Sequence, residues 1–317
     1  MVYEPLQINF FQMNRYFHLN DFFPSLQGFT LGLLKSFRAE VIVGDGFWGG
    51  LAGMMLRNIT GIPFVYDYSD SYIESAGMGP LNIFFLLERL IPRSAGLTIT
   101  VNYGLAEKAR SFGARNVEIV THGFEPDLFL TRHKPEKPEK HAKTALYISQ
   151  LTKQPGMEIL AEAVRMVPDN VSFVLVGPIL DTKYFRSLIA DADLKKKIIL
   201  TGRVPHEEIP RHISNSDICL FLDSTETSLA LFEYAAMGKP IIAFRGPVER
   251  RFVKDEEIAI CDWNPKSLAD AIIYLLNNKE RAESMGNRIR KKVIASYSWE
   301  SKTKQFIKHI ETFLNSG

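Results

Sequence analysis

The chain has 317 residues, enough for two domains with separate cores, and its 46% apolar and 23% charged content is that of an ordinary globular protein. A net charge of +2 gives no general attraction for polyanions, so nucleic acid is not an expected partner. Only two cysteines occur, Cys219 and Cys261, both in or beside apolar runs; with no secretory leader pattern and no apolar run of about 18 residues, the expectation is a cytoplasmic protein with reduced thiols.

The chain opens on an unusually aromatic stretch, "NFFQMNRYFHLNDFFPSLQGFTLGLLKSF". Short β-rich runs then alternate with helical patterns. "AEVIVGDG" reads as strand and loop, Phe47 to Asn58 as helix, "IPFVYD" as strand, Leu81 to Leu90 as helix and "LTITV" as strand. Leu105 to Phe112 reads as helix and "VEIVTHG" as strand. Such a succession specifies a parallel sheet with crossover helices. "TRHKPEKPEKHAK" is charged, carries prolines and lacks an apolar period, so residues 131–143 read as a linker between a first domain, 1–130, and a second, 144–298. In the second domain "ALYIS", "VSFVLVG", "KIILTG", "ICLFL" and "PIIAF" are the strands. Glu158 to Met166, Lys183 to Asp191 and His206 to Ser214 are the helices between them. Ser267 with Asp270 reads as the start of a further helix, and residues 299–317 form a last one that packs back toward the first domain. The fold class is α/β: two doubly wound halves, with ligands expected at the carboxyl ends of the strands in the cleft between them.

"SLALFEYAAMGKPIIAF" concentrates the chemistry. Ser228 suits an N-cap and Gly238 a helix stop, with Leu229, Phe232 and Ala236 on one apolar stripe and Glu233 off it. A helix N-terminus presents unpaired N–H groups and a positive dipole end to an anion. Glu233 lies more than a turn further on, where a carboxylate can accept hydrogen bonds from vicinal hydroxyls. Phosphate at the tip and a diol beside it describe a bound nucleotide; a solvated helix face is the alternative reading of Glu233.

The same segment resembles family 4 retaining glycosyltransferases of the GT-B fold, as do "YISQLTKQPGMEILAEAV", "VSFVLVGP", "IILTGRVPHEEIPRHISNSDICLFL" and "YSWESKTKQF", in that order. In the first half "PFVYDYSDSY" and "AGLTITVNYGLAEKARSFGARNVEIVTHGFEPDLF" resemble it too. The resemblance implies two Rossmann-like domains. It also implies transfer of a sugar, with retention, from a nucleotide-diphosphate sugar to a hydroxyl of a glycan or lipid-linked glycan. No cofactor and no metal are implied, the nucleotide sugar being a substrate. Glu233 is then the donor-ribose ligand, amides near Thr227, Ser228 and Leu229 meet the diphosphate, and Gly202, Arg203 and Val204 lie along the base.

Departures from the family pattern are specific. The family's second glutamate falls on Thr225, next to Glu226, which a small loop adjustment brings into the donor-sugar position. Its diphosphate-clamping arginine and lysine fall on Gln150 and Pro155, with Lys153 between them as the substitute. Its catalytic-site histidine falls on Ser69, flanked by Asp67 and Asp70, which either orient an acceptor hydroxyl or simply close a strand-end turn. The usual N-terminal strand, glycine-rich loop and helix have no counterpart, so the first domain reads as truncated, and the aromatic segment in their place suits the core, a lipid surface or a partner subunit. "NIFFLLERLIPR" carries the same ambiguity and reads as core; "NRIRKKV" reads as a solvated helix face. Three other functions compete: a GT-B subunit of weak activity that needs a partner; a nucleotide-sugar epimerase of related fold, which shares the donor site and needs no acceptor; and, from "VGDGFWG" followed by Asp67, a nicotinamide- or flavin-dependent oxidoreductase.

Overall fold

The structure, a computed structural model, describes residues 39–71, 83–131, 143–222, 228–246 and 256–316. The chain separates into two units: one up to Thr121 that also takes Thr303 onward, and one from His122 to Lys302. The second unit therefore begins ahead of the charged segment. Of that segment, 132–142 lies outside the described residues, and Lys143 already opens a strand.

In the first unit the described strands are β1 (Ile42–Asp45), β2 (Phe64–Tyr68), β3 (Leu97–Thr100) and β4 (Val117–Ile119). They pair in parallel in the order β1-β2-β3-β4. Helices α1 (Gly46–Thr60), α2 (Ile83–Ser94) and α3 (Tyr103–Ser111) connect them. Strand residues alternate between faces. Phe64, Tyr66 and Tyr68 therefore pack with Phe47, Leu56 and Ile91 on the helical side. Val41, Val43, Val65, Leu97 and Ile99 point to the other face, which Phe306, Ile310, Phe313 and Leu314 cover. These last belong to the final helix, which starts at Trp299. Within α2, Glu88 is buried and accepts a 2.7 Å hydrogen bond from the Tyr68 hydroxyl, while Leu86 and Leu90 face outward. "NIFFLLERLIPR" is thus core along one face only. The glycines of "VGDGFWG" have packing roles: Gly44 and Gly49 touch backbone to backbone where β1 meets α1, and Phe47 is buried.

In the second unit β5 (Lys143–Ile148), β6 (Val171–Val176), β7 (Ile198–Gly202), β8 (Ile218–Phe221), β9 (Ile241–Phe244) and β10 (Ala259–Cys261) form a parallel sheet. Its order is β10-β9-β8-β5-β6-β7. The helices are α4 (Pro126–Phe129), α5 (Pro155–Met166), α6 (Thr182–Ala190), α7 (Ala192–Lys197), α8 (Ile209–Asn215), α9 (Leu229–Ala236), α10 (Pro265–Asn277) and α11 (Lys279–Ser296). The helix from Trp299 to Asn315, α12, begins in this unit and ends in the first. One face of the sheet packs on α5, α6 and α10, the other on α4, α8, α9 and α11. Asn264, not Ser267, caps α10, its side chain accepting from the Ser267 N–H at 2.8 Å; Ser267 instead accepts from the Asp262 N–H. On the basic face of α11, Arg288 pairs with Glu256 and Lys292 with Glu257, while Ile289 and Val293 are buried beneath it. Both cysteines are free, and burial pushes their thiols up to about 12.

Candidate functional site

The second sheet changes direction at β5. The chain runs outward through β6 and β7, then returns to place β8 on the other side of β5. In open parallel sheets the ligand crevice lies outside the carboxyl ends of the strands at that point. Two glycines let the loops converge there. Gly177, after β6, has φ +142° and lies so close to the Ser149 carbonyl that no Cβ fits between them. Gly156, in the first turn of α5, lies equally close to the Leu222 carbonyl at the end of β8. Hydrogen bonds of 2.9 Å from Leu151 N–H to Pro178 O and from Leu180 N–H to Leu151 O tie the loop after β5 to the loop after β6.

Helix α9 begins beside these loops. Its N-cap, Ser228, has an extended backbone, and the buried Ser228 hydroxyl has no hydrogen-bond partner among the described residues. The Tyr234 hydroxyl accepts a 2.7 Å hydrogen bond from the Ile148 N–H and so fixes α9 to the end of β5. Glu233 is 3% exposed. The apolar stripe expected through Leu229, Phe232 and Ala236 is therefore corrected: Leu229 is 37% exposed, and Leu231 through Ala236, Glu233 included, are buried. Flanked by α4, α11 and the sheet, so short a helix is enclosed almost all round. The solvated-face reading of Glu233 fails with it.

Burial raises the pKa of Glu233, and a hydrogen bond from His206 opposes that shift. The two atoms involved, His206 Nε2 and Glu233 Oε1, are 2.7 Å apart. His206 opens a single 3₁₀ turn (His206–Glu208) on the loop leaving β7, and its ring centre is 5.5 Å from that of the buried Phe129. Nothing in the spacing of a lone histidine marked it; only its place three residues after Arg203 hinted at the site.

The other expected donor-side residues fall as follows. Gly202 turns the chain at φ +72° and its carbonyl accepts from the Gly177 N–H at 3.0 Å. Arg203 is exposed, and Val204 packs partly into the second core face. Gln150 is exposed. Lys153 is 58% exposed, 3.4 Å from Glu158, with its ammonium 6.0 Å from the centre of the Tyr184 ring. Glu226 and Thr227 lie outside the described residues, as does the aromatic segment at the start of the chain. Lys239 of the Gly-Lys-Pro run is structural: it donates to Ser214 O and Ser216 O at 2.8 and 2.6 Å, closing the end of α8. A cavity of about 370 Å³ at the amino-terminal edge of this sheet is lined by Lys143, Asp217 and Lys239. Two of those side chains already serve the backbone there.

In the first unit Asp45, the last residue of β1, and Asp67, the last but one of β2, are register partners. Burial, and then the Asp45 charge, push the Asp67 carboxyl up to about 7. Ser69 donates to Asp45 at 3.3 Å, and Asp70 is exposed. Strand register thus sets Asp67 beside Asp45, a neighbour that sequence reasoning missed.

Residues 130–292, more than half of the chain, match the model of the family described as glycosyl transferases group 1. The chain belongs to that family. Residues 12–124 match a second model, the glycosyl transferase 4-like domain. Among curated relatives, a GDP-mannose-dependent alpha-(1-6)-phosphatidylinositol monomannoside mannosyltransferase of Mycobacterium tuberculosis is 25% identical over 240 residues. That match covers 68% of this chain and 61% of the relative, so the chain spans about three fifths of the relative's length. Among solved structures, sucrose-phosphate synthase from Thermosynechococcus elongatus superposes with TM-score 0.78 at 18% identity, covering 94% of this chain and 79% of that one. Anabaena Alr3699/HepE in complex with UDP superposes with TM-score 0.75 at 15% identity, covering 91% and 82%. The fold of this glycosyl transferases group 1 member is GT-B, and membership replaces the oxidoreductase reading of "VGDGFWG". Among the described residues no helix is long and apolar enough to cross a membrane.

Proposed function

We propose that this chain transfers a sugar, with retention, from a nucleotide-diphosphate sugar to a hydroxyl of a glycan or lipid-linked glycan. The observation that carries the proposal is Glu233: a nearly buried carboxylate on the helix that follows β8, at the turning point of the second sheet. His206 meets Oε1 of this buried carboxylate, and a buried charge needs a partner for its other oxygen as well. Vicinal ribose hydroxyls are such a partner. The unpartnered Ser228 hydroxyl and the first N–H groups of α9 suit the diphosphate. The names of the relatives support a nucleotide sugar as donor, one being GDP-mannose-dependent and a structural neighbour holding UDP.

On this reading the protein's own residues mostly bind and orient. Glu233 fixes the ribose and α9 steadies the leaving diphosphate, so that acceptor and donor meet with little reorganisation. Lys153 takes the place of the family's missing cations, and Glu226 serves the donor sugar. Asp67 and Asp70 orient the acceptor, and burial, with the Asp45 charge, pushes the Asp67 carboxyl up to about 7. A second reading, a weakly active subunit that needs a partner, is favoured by Gln150 and Pro155 standing where the clamp is expected.

The experiment separating them is turnover by the purified chain alone, with UDP- and GDP-sugars and a panel of glycan and polyprenyl-linked acceptors, the product anomer being read by NMR. Transfer with the donor's anomeric configuration kept is the expected outcome. Nucleotide binding without transfer to any acceptor sinks the enzyme reading and leaves the subunit.

A further inference from the structure

The Glu233 carboxylate has one hydrogen-bond partner among the described residues, His206, at 2.7 Å. The two groups come from different elements: Glu233 from α9, and His206 from the loop that leaves β7 just after Gly202, Arg203 and Val204. That loop is held at both ends. Val204 packs into the core on one side of His206 and Ile209 is buried on the other. Pro205 fixes the backbone immediately before it, and the Phe129 ring lies against the imidazole. His206 is thus a placed donor, although nearly half of its side chain is exposed.

A carboxylate offers four lone-pair sites on two oxygens. His206 occupies Oε1 from one direction and leaves Oε2 to another donor. A buried carboxylate with no fixed donor tends to take up a proton or turn to another rotamer. A donor that arrives from a second, independently anchored element prevents both.

We propose that His206 is a positioning residue for the donor ribose: its Nε2–H holds Glu233 ionised and in the one orientation that accepts the vicinal hydroxyls. The proposal rests on the ribose reading of Glu233. It also joins the loop that lies along the base to the residue that reads the sugar, so that base and ribose recognition share one element.

The test is calorimetric titration of the full chain with UDP and with GDP, each beside its 2′,3′-dideoxy counterpart. For the ribonucleotide the chain prefers, His206→Ala lowers affinity about tenfold, the size expected for a hydrogen bond to a charged group. Affinity for the dideoxy form changes less than about twofold. His206→Gln, which keeps an N–H donor of similar reach, restores most of the loss. An equal loss for the ribo and dideoxy forms, or no loss for either, overturns the proposal. Glu233→Ala, run in parallel, separates the two levels of the argument. If it erases the preference for ribose while His206→Ala does not, only the role of His206 fails. If it leaves that preference intact, or if the wild type binds neither ribonucleotide, the ribose reading itself fails and the role of His206 with it.

Discussion

At the scale of single residues, the two carboxylates on which the proposed function rests differ in their surroundings. Burial raises the pKa of both: at Glu233 the hydrogen bond from His206 opposes the rise, whereas at Asp67 the Asp45 charge adds to it and takes it to about 7. A carboxyl whose pKa rises on folding from 3.8 binds its proton more tightly in the folded state. Its contribution to stability is complete below pH 3.8 and is lost as the pH climbs through 7. Asp67→Asn removes that loss. Its melting temperature relative to wild type therefore rises from about pH 4 to pH 7 and levels off above that in scanning calorimetry; a difference independent of pH contradicts the assignment. Lys153 makes a separate prediction. With the clamp cations absent at 150 and 155, Lys153→Ala weakens nucleoside diphosphate binding while leaving the matching nucleoside almost unaffected. Equal small effects on both ligands remove Lys153 from the site. Glu233 and Lys153 stand as candidates through the family resemblance of the segments that carry them. Asp45 was not legible as a partner of Asp67, because only strand register sets them side by side.

Among the elements, α9 is the one whose placement matters most. The Tyr234 hydroxyl is the described partner of the Ile148 N–H, and it holds the helix to the strand end. Tyr234→Phe leaves that amide unpaired in a nearly dry place, so the second unit loses about 1–3 kcal/mol of stability in denaturant unfolding. A variant as stable as wild type shows that the hydrogen bond does not hold α9. The sequence announced this helix through Ser228 and Gly238 but misassigned its buried face. Eight residues carry too little periodicity to reveal a helix enclosed on nearly all sides, and Leu229 looked like core because it is apolar. The same limit hid Asn264 as the cap of α10. Ser267 and Asp270 satisfied the capping pattern, but Pro265 pre-sets the first turn two residues earlier.

For the molecule as a whole, alternating strands and helices gave both parallel sheets from sequence, because each crossover needs a helix and each buried strand an apolar run. The last helix joins the first unit from Thr303 onward. Its function, covering one face of the first sheet with Phe306, Ile310 and Phe313, depends on which face the other helices leave bare. The second unit starts at His122, ahead of the boundary at 130 read from the sequence, because Phe124 and Phe129 pack under β8 and α9. The central claim is that the second unit is built around a nucleoside diphosphate held through Glu233. A thermal-shift comparison of wild type and Glu233→Ala, across UDP, GDP, ADP and inorganic pyrophosphate, tests it most directly. At a ligand concentration a hundred times the dissociation constant, binding adds about 2.7 kcal/mol to wild-type stability. Loss of hydrogen bonds to a charged group weakens binding by about 1.5–3 kcal/mol, so the variant forfeits most of that shift at the same concentration. The account predicts a clear rise for wild type with at least one nucleoside diphosphate and little for the variant; no rise in the wild type, or the same rise in both, contradicts it.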